Sequence, residues 1–280
     1  MAKRSFRKTF LTNFALTAGA LITIALVIVA LAAPLIAPHD PNWQETSRRL
    51  EQPSRQHVLG LDDLGRDVFS RVVYGARVSL RVGFSVVLLT STVGIFLGAI
   101  AGYFGGKIDT LIMRLSDMLL AFPGILLAIA LVAVLGPSLN NVVLALSVIG
   151  WVGYARLVRG QILKVRQMEF VTAAEALGAR SPRIIFRHLL PNVLSPVIVM
   201  ATLGLAGAIL AEAALSFLGL GVQPPTPSWG AMLTTGRQYL GLANHLAIYP
   251  GIAIMLAVMG LNFLGDGLID ALDPKYRKEI

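Results

Sequence analysis

The sequence predicts an all-α membrane protein with six transmembrane helices. Of its 280 residues, 55% are hydrophobic and only 14% are charged, and the mean hydropathy is +0.72. Soluble domains average about 45 to 50% apolar and roughly 25% charged residues, so this composition excludes an ordinary globular domain. Several charge-free stretches reach the length of about 20 residues that a helix needs to cross a bilayer. The net charge of +9 is spread between these stretches and does not define one polar face, so no nucleic-acid partner is expected.

The six spans follow from the charge-free stretches in chain order. The first is longer than the roughly 7 to 15 apolar residues of a secretory signal, so it is interpreted as an uncleaved anchor. The third is too long for one crossing, and the breakers Gly136-Pro137-Ser138 and Asn140-Asn141 predict a hairpin that divides it into two helices. The stretches are 9–38, 82–106, 118–155, 189–211 and 246–265.

The distribution of positive charge predicts the orientation. An even number of spans places both termini on one side, and sixteen of the 24 Lys and Arg residues fall in the segments on that side, which is therefore expected to be cytoplasmic. Three regions result: an N-terminal cytoplasmic tail with the first helix (1–40), an external segment (41–81) and a core domain of five helices (82–280). The many charged residues of 41–81 predict a structured external segment.

The loop between the fourth and fifth spans, 156–188, is more regular than a connector needs to be. Residues 168–177 contain three alanines and no Gly or Pro, which predicts a short helix that Gly178 caps. Ser181 as an N-cap and Pro182 at the first helical position predict a second helix that stops at Pro191. The residues alone favour two functions equally: docking of a partner protein against the small side chains, or attachment of a basic helix to anionic lipid.

At this point the sequence resembles the EAA loop of ATP-binding-cassette (ABC) importer permeases. The pattern of that loop is Glu-Ala-Ala, three residues, Gly, nine residues, Ile, one residue, Leu-Pro. Thr172-Ala173-Ala174, Gly178 and Leu190-Pro191 match it, except that Thr172 replaces the Glu, and His188 replaces the Ile. Further stretches, in the same order, are similar to the C-type permease subunit of dipeptide, oligopeptide and nickel importers (DppC/OppC-like). They are 57–67, 74–77, 212–221, 223–227 and 265–274.

The resemblance implies a type I ABC importer permease fold and a subunit that forms half of a translocation pathway for small peptides. It also implies a bacterial or archaeal cytoplasmic (inner) membrane location and several partners: a B-type permease subunit, two ABC ATPase subunits and a periplasmic or extracellular solute-binding protein. The EAA loop, about 156–191, would be the part that couples to the ATPases. The docking residues implied by the resemblance are Thr172, Ala173, Ala174, Glu175, Gly178 and Pro191.

The chain is not expected to be an enzyme or to bind a cofactor. A phosphate-binding loop needs G-x-x-x-x-G-K followed by Ser or Thr, and the nearest approach, Gly106-Lys107, is followed by Ile108. ATP and Mg²⁺ would therefore bind to the partner ATPases. No metal site is predicted either, because the four histidines have no metal-binding spacing and the chain has no cysteine. The histidines are His39, His57, His188 and His245.

Three further points remain open at this stage. Glu212, at the outer end of the fifth span, is a candidate for the translocation pathway or its gate, or it bonds backbone groups at a helix break. Gly94, Gly98 and Gly102 predict close helix packing or a hinge.

The alternatives to a peptide importer are a nickel or glutathione importer of the same family and, from another class, a proton-coupled secondary transporter. The last would be expected to carry charges at mid-membrane and an internal repeat.

Overall fold

A computed structural model describes residues 13–272, and within this range the regular structure is helical apart from one isolated bridge between Leu61 and Asp67. This confirms the all-α fold class. A 3₁₀ turn covers Thr46–Arg48, and a π-helical turn covers Ile184–Leu189. The α-helices are α1 (Phe14–Leu31), α2 (Ala33–Ile36), α3 (Val68–Phe104), α4 (Gly106–Leu120), α5 (Gly124–Leu135), α6 (Leu139–Val165), α7 (Glu169–Ala176), α8 (Ser181–Arg183), α9 (Leu190–Phe217), α10 (Trp229–Gln238) and α11 (His245–Leu272).

Five of the described helical segments are long and apolar enough to cross a bilayer: α1, α3, α6, α11, and α9 together with the turns before it. α4 and α5 pass the same test only as a pair and are bent by 83°, so together they form either a broken span or a re-entrant segment. At 1.5 Å per residue the 12 residues of α5 extend about 18 Å, which is short of a hydrocarbon core of roughly 30 Å. Six spans, as predicted, are obtained when this pair counts as one.

The second span begins earlier than the sequence analysis predicts. The charge-free stretch starts at residue 82, whereas α3 begins at Val68 and continues for 37 residues. Asp67 fixes this start because its carboxylate accepts a hydrogen bond from the Ser70 N–H, which is otherwise unpaired in the first turn. Residues 68–81 of the predicted external segment are thus the first turns of a long helix. The domain division drawn at 40 and 81 stays a prediction.

The predicted hairpin between the third and fourth spans is present. α5 ends at Leu135, Gly136 follows with a φ of +89°, and Ser138 caps α6 by accepting a hydrogen bond from the Asn141 N–H. The Asn141 side chain also donates to the carbonyl oxygens of Leu135 and Gly136 at 2.9 Å. The breaker residues therefore satisfy the backbone groups that a helix end leaves unpaired, which membrane surroundings require.

α3 and α6 approach each other closely along the glycines that the sequence analysis identified. A Cβ atom on Gly94 would lie 2.4 Å from the Cβ of Tyr154, and one on Gly98 would lie 2.5 Å from the Ala155 carbonyl oxygen. A Cβ on Gly102 would lie 3.0 Å from the Arg159 carbonyl oxygen. Of the two predicted roles, close packing is confirmed for these glycines. We call this contact the α3–α6 seam.

The predicted second loop helix does not stop at Pro191. It starts at Ser181, with Pro182 near its N-terminus as expected, but it continues through the π-helical turn into α9. Proline lacks an N–H and its ring clashes with the carbonyl four residues earlier, so it usually breaks a helix. Here the Leu190 N–H bonds to the Ile185 carbonyl, five residues back, and this wider turn accommodates Pro191 without ending the helix.

The first and last described helices meet at their ends. The Asn13 side chain caps α1 by accepting from the Leu16 N–H, and its amide nitrogen donates to Asp270 near the end of α11 at 2.9 Å. The two ends of the described chain therefore lie on the same side, as an even number of spans requires. The Lys and Arg residues at 3–8 and 275–278, which are among the sixteen predicted on the cytoplasmic side, lie outside the described residues.

The α3–α6 seam predicts an asymmetry between two Gly→Ala substitutions. Gly98→Ala should lower the free energy of unfolding by about 1–3 kcal/mol, because its methyl group meets backbone atoms of α6 that cannot easily move. Gly160→Ala, on α6 with nothing within 4 Å, should be neutral or more stable by about 0.5–1 kcal/mol. Thermal unfolding of both purified variants in detergent measures this, and equal midpoints would contradict the seam.

Candidate coupling segment and membrane cavities

The segment between α6 and α8, residues 166–180, is the candidate coupling segment. Its helix α7 is attached to the body of the protein mainly through Val171, which is fully buried. Val171 packs in the apolar cluster that contains Ile162 and Val165 of α6 and Ile184 and Leu189 of the π-helical turn. One buried side chain thus fixes the position of an eight-residue helix whose other residues are exposed or half-buried.

A glycine turn ends α7 as predicted. Gly178 has a φ of +81°, and its N–H bonds to the Glu175 carbonyl at 2.9 Å. The Ala179 N–H bonds to the Ala174 carbonyl at 3.0 Å. These two bonds define a Schellman motif, in which the residue at the turn needs the left-handed conformation that glycine adopts without strain. A Cβ at Gly178 would meet nothing within 4 Å, so within this chain the turn requires glycine for its backbone conformation only.

The face of α7 that points away from the protein is made of small side chains with apolar edges. Thr172, Ala173 and Glu175 are exposed, while Ala174 is half-buried on the inner side. Leu177, at the end of the helix, is 89% exposed, which is unusual for a leucine that has no partner. An exposed apolar edge beside small residues favours contact with another protein, because it allows a close backbone approach and buries the leucine.

Pro191 does not lie on α7 but in the first turn of α9, beyond the π-helical turn. It is exposed, and the turn before it reaches back to α7 through His188, whose ring centroid lies 6.5 Å from that of Phe170. The residues that the resemblance groups into one motif are therefore divided between the exposed helix and the turn against which that helix rests.

Glu212 is enclosed between α3 and α9 with no exposed surface. Its carboxylate accepts hydrogen bonds from the Ser216 hydroxyl at 2.6 Å and from the Ser79 hydroxyl at 3.1 Å. The alternative, in which Glu212 bonds backbone groups at a helix break, is wrong, because α9 continues to Phe217 and the hydrogen bonds described above come from side-chain hydroxyl groups. Buried carboxylates need such partners, since an unpaired one is costly to bury.

Among the described residues, at least two cavities lie between the spans. One, of about 440 Å³, lies between α3, α6 and α9 and has Thr90, Tyr154 and Gly207 in its wall. The other, of about 710 Å³, lies between α1, α3, α9 and α11, and Arg77 and Arg81 are its charged lining residues. Glu212 lines neither of them. These linings could not be predicted from the sequence, because residues far apart in the chain form them.

This architecture has a counterpart among solved structures. A chain of the MetNI methionine ABC transporter, in a structure described as inward-facing, superimposes with a TM-score of 0.60 over 73% of this chain and 97% of its own length. The identity is 19%, so the likeness concerns the fold. The fold class is therefore that of an ABC importer permease, as predicted.

Sequence comparison gives the family. The family described as "binding-protein-dependent transport system inner membrane component" matches residues 94–278, and the "N-terminal TM domain of oligopeptide transport permease C" matches residues 3–54. The chain belongs to the binding-protein-dependent transport system inner membrane components. It is thus a multi-pass inner-membrane permease subunit of an ABC importer, and this family of transport proteins works with an ATPase and a substrate-binding protein.

Three curated relatives illustrate the match. The dipeptide transport system permease protein DppC of Alkalihalophilus pseudofirmus is 50% identical over 92% of this chain and 85% of its own. The glutathione transport system permease protein GsiD of Pectobacterium atrosepticum is 45% identical over 98% and 91%. The di/tripeptide transport system permease protein DppC of Pseudomonas aeruginosa is 44% identical over 98% and 92%.

The hydrogen bonds of Glu212 predict a graded response to substitution. Glu212→Ala leaves the Ser79 and Ser216 hydroxyls without this acceptor and should lower the free energy of unfolding by about 1–3 kcal/mol. Glu212→Gln keeps a carbonyl oxygen in place and should cost less. Thermal unfolding in detergent compares the two, and an alanine variant as stable as the wild type would contradict a structural role.

Proposed function

We propose that this chain forms one half of the pathway by which an ABC importer moves small peptides, with a related B-type permease subunit forming the other half. The observation that carries the proposal is the 50% identity to a dipeptide permease over 92% of the chain. The cavities of about 440 and 710 Å³ support it, since sites for small ligands measure about 300–1,000 Å³. A B-type partner would complete a passage that one subunit leaves open at its side.

A second candidate substrate is glutathione, because a relative named for its transport is 45% identical over 98% of the chain. Glutathione is itself a short peptide, so the two candidates share the chemistry of amide groups and free carboxylates. Nickel, the remaining candidate within the family, differs in kind, since it would need metal ligands along the pathway.

We infer that α7 docks on the partner ATPase and couples it to the membrane helices. The exposed Ala173 and Leu177 and the sharp turn at Gly178 support this assignment. ATP and Mg²⁺ belong to the ATPases, and this chain binds no cofactor in the cycle. A ligand shifts a conformational equilibrium only if it binds one state more tightly than the other, and ATP binds the closed ATPase dimer more tightly than the open one. Closure of the ATPases would move α7 and tilt α6 and α9. This tilt would open the passage to the outside.

The proposed orientation places both termini and α7 in the cytoplasm. The proximity of Asn13 and Asp270 supports a common side for the two ends. With six spans, the connection between the fourth and fifth also lies on that side. The excess of Lys and Arg in these segments supports the cytoplasm as that side, because positively charged loops are retained there.

Docking through α7 predicts loss of coupling from two substitutions, one on the exposed face of α7 and one in the turn that ends it. Ala173→Trp places a large side chain on the exposed face, and Gly178→Val forces a β-branched residue to a φ of +81°. Both should reduce substrate-stimulated ATPase activity of the assembled complex at least about tenfold, which corresponds to 1.4 kcal/mol. Ala173→Ser and Gly178→Asn are the matched controls, since serine is small and asparagine tolerates this φ. Unchanged stimulation in the Trp and Val variants would refute docking at α7.

Transport in proteoliposomes tests the function directly. The full complex with its binding protein should accumulate a labelled dipeptide only when ATP is enclosed on the ATPase side. Excess unlabelled dipeptide should reduce uptake of the labelled dipeptide. If glutathione or Ni²⁺ is taken up and dipeptides do not compete with it, that compound is the substrate and the proposed peptide substrate is wrong. Uphill uptake by this chain alone, driven by a proton gradient, would instead establish a secondary transporter.

A further inference from the structure

The fold brings two of the four histidines together with a carboxylate, although they are far apart in the chain. His39 follows α2, His57 lies in the segment before α3, and Asp67 is the N-cap of α3. The Nδ1 atom of His57 lies 2.9 Å from Oδ1 of Asp67, and Nδ1 of His39 lies 3.7 Å from the same oxygen. The two imidazole rings stand 4.6 Å apart between centroids.

The surrounding contacts hold these groups in place. Oδ2 of Asp67 accepts hydrogen bonds from the Ser70 N–H at 2.8 Å and the Ser70 hydroxyl at 2.7 Å, so Oδ1 is the oxygen that faces the two rings. The backbone N–H of His39 donates to the same Ser70 hydroxyl at 3.2 Å. The carboxylate of Asp67 is buried, His57 is mostly buried, and the ring of His39 is partly exposed.

We propose that His39, His57 and Asp67 bind one divalent transition-metal ion of the zinc class. One ligand atom from each residue lies within 4.8 Å of the other two. Ligands at about 2.0–2.1 Å from a tetrahedral ion lie about 3.3 Å apart, and the distances of 2.9 and 3.7 Å to the carboxylate bracket that value. Small rotations of the two rings would bring the three atoms onto a common ion.

The types of ligand select the class of ion. Two imidazoles and one carboxylate suit Zn²⁺, Ni²⁺ or Cu²⁺, whereas Mg²⁺ and Ca²⁺ prefer sites made of oxygen atoms alone. Three protein ligands leave a fourth position for water or another small ligand. No metal site was expected from the sequence, because the separations between His39, His57 and Asp67 along the chain follow no short metal-binding motif.

The site is accessible and has favourable charge. It opens into a cavity of about 370 Å³ that Asp40 and Glu45 also line. Arg48 lies at the same cavity but is held by Glu51 in a two-pronged ion pair, with nitrogen–oxygen distances of 2.6 and 2.8 Å. This pairing balances the positive charge of Arg48, so the cavity does not repel a cation as a free arginine would.

A bound ion would join two points of the segment before α3, His39 and His57, to Asp67 at the start of that helix. It would replace the hydrogen bond between His57 and Asp67 with two stronger bonds to one centre and add His39, which a hydrogen bond of ordinary length does not reach. The metal site does not depend on which substrate is transported, because it lies in the segment before α3 and not in the cavities between the spans.

The test uses the full chain, purified in detergent without a polyhistidine tag and stripped with EDTA. After Zn²⁺ is added and the excess is removed by desalting, we expect one equivalent of Zn²⁺ to remain per chain. When Co²⁺ is added in place of Zn²⁺, we expect the absorption band of a tetrahedral Co²⁺ site. His39→Gln should weaken Zn²⁺ binding by at least about tenfold, since even outer-shell changes cost 10 to 100-fold.

Matched variants keep the result decisive. His188→Gln removes a histidine far along the chain and should leave Zn²⁺ binding unchanged. His57→Gln should abolish Zn²⁺ binding, and its thermal unfolding midpoint shows whether this variant folds. If it does not fold, His39→Gln decides the question, because the ring of His39 is partly exposed and its replacement should leave the fold intact. Absence of stoichiometric Zn²⁺ from the wild type, or equal affinity in the wild type and His39→Gln, would overturn the proposal.

Discussion

The close approach of α3 and α6 is the contact on which the rest of the structure depends. Glycines at 94, 98 and 102 remove the side chains that would separate the two helix backbones, so packing along the α3–α6 seam is limited by backbone atoms. Lipid tails are as apolar as the side chains they would replace, so such shape complementarity, and not burial from water, holds helices together in a bilayer. The seam is also connected to the candidate coupling segment, because α6 leads into that segment and the apolar cluster of α6 includes Val171 of α7.

The sequence predicted the features that follow from local chemistry. The charge-free stretches located the spans, the breakers at 136–141 located a hairpin, and Gly178 located the end of α7, because each depends on residues a few positions apart. The boundaries were less accurate where a helix extends beyond the bilayer. Charge marks the edge of the hydrocarbon core but does not end a helix, and α3 therefore begins at Val68 although the charge-free stretch begins at residue 82.

Features that depend on distant residues were not predictable in this way. The partners of Glu212 come from α3 and from one turn further along α9, and the cluster of His39, His57 and Asp67 spans two loops. The continuation of the helix through Pro191 was missed for another reason. Proline normally ends a helix, and the π-helical turn that admits it here has no sequence signal that could be read in advance.

The length of α3 has a mechanical consequence. Its 37 residues form a rod of about 55 Å, nearly twice the thickness of the hydrocarbon layer. A rod of this length that swings by about 10° around its middle displaces each tip by about 5 Å. A modest rotation at the seam would therefore become a shift of several ångströms at the end of α3 where Asp67 anchors the preceding segment, and the two ends of α3 would move in opposite directions.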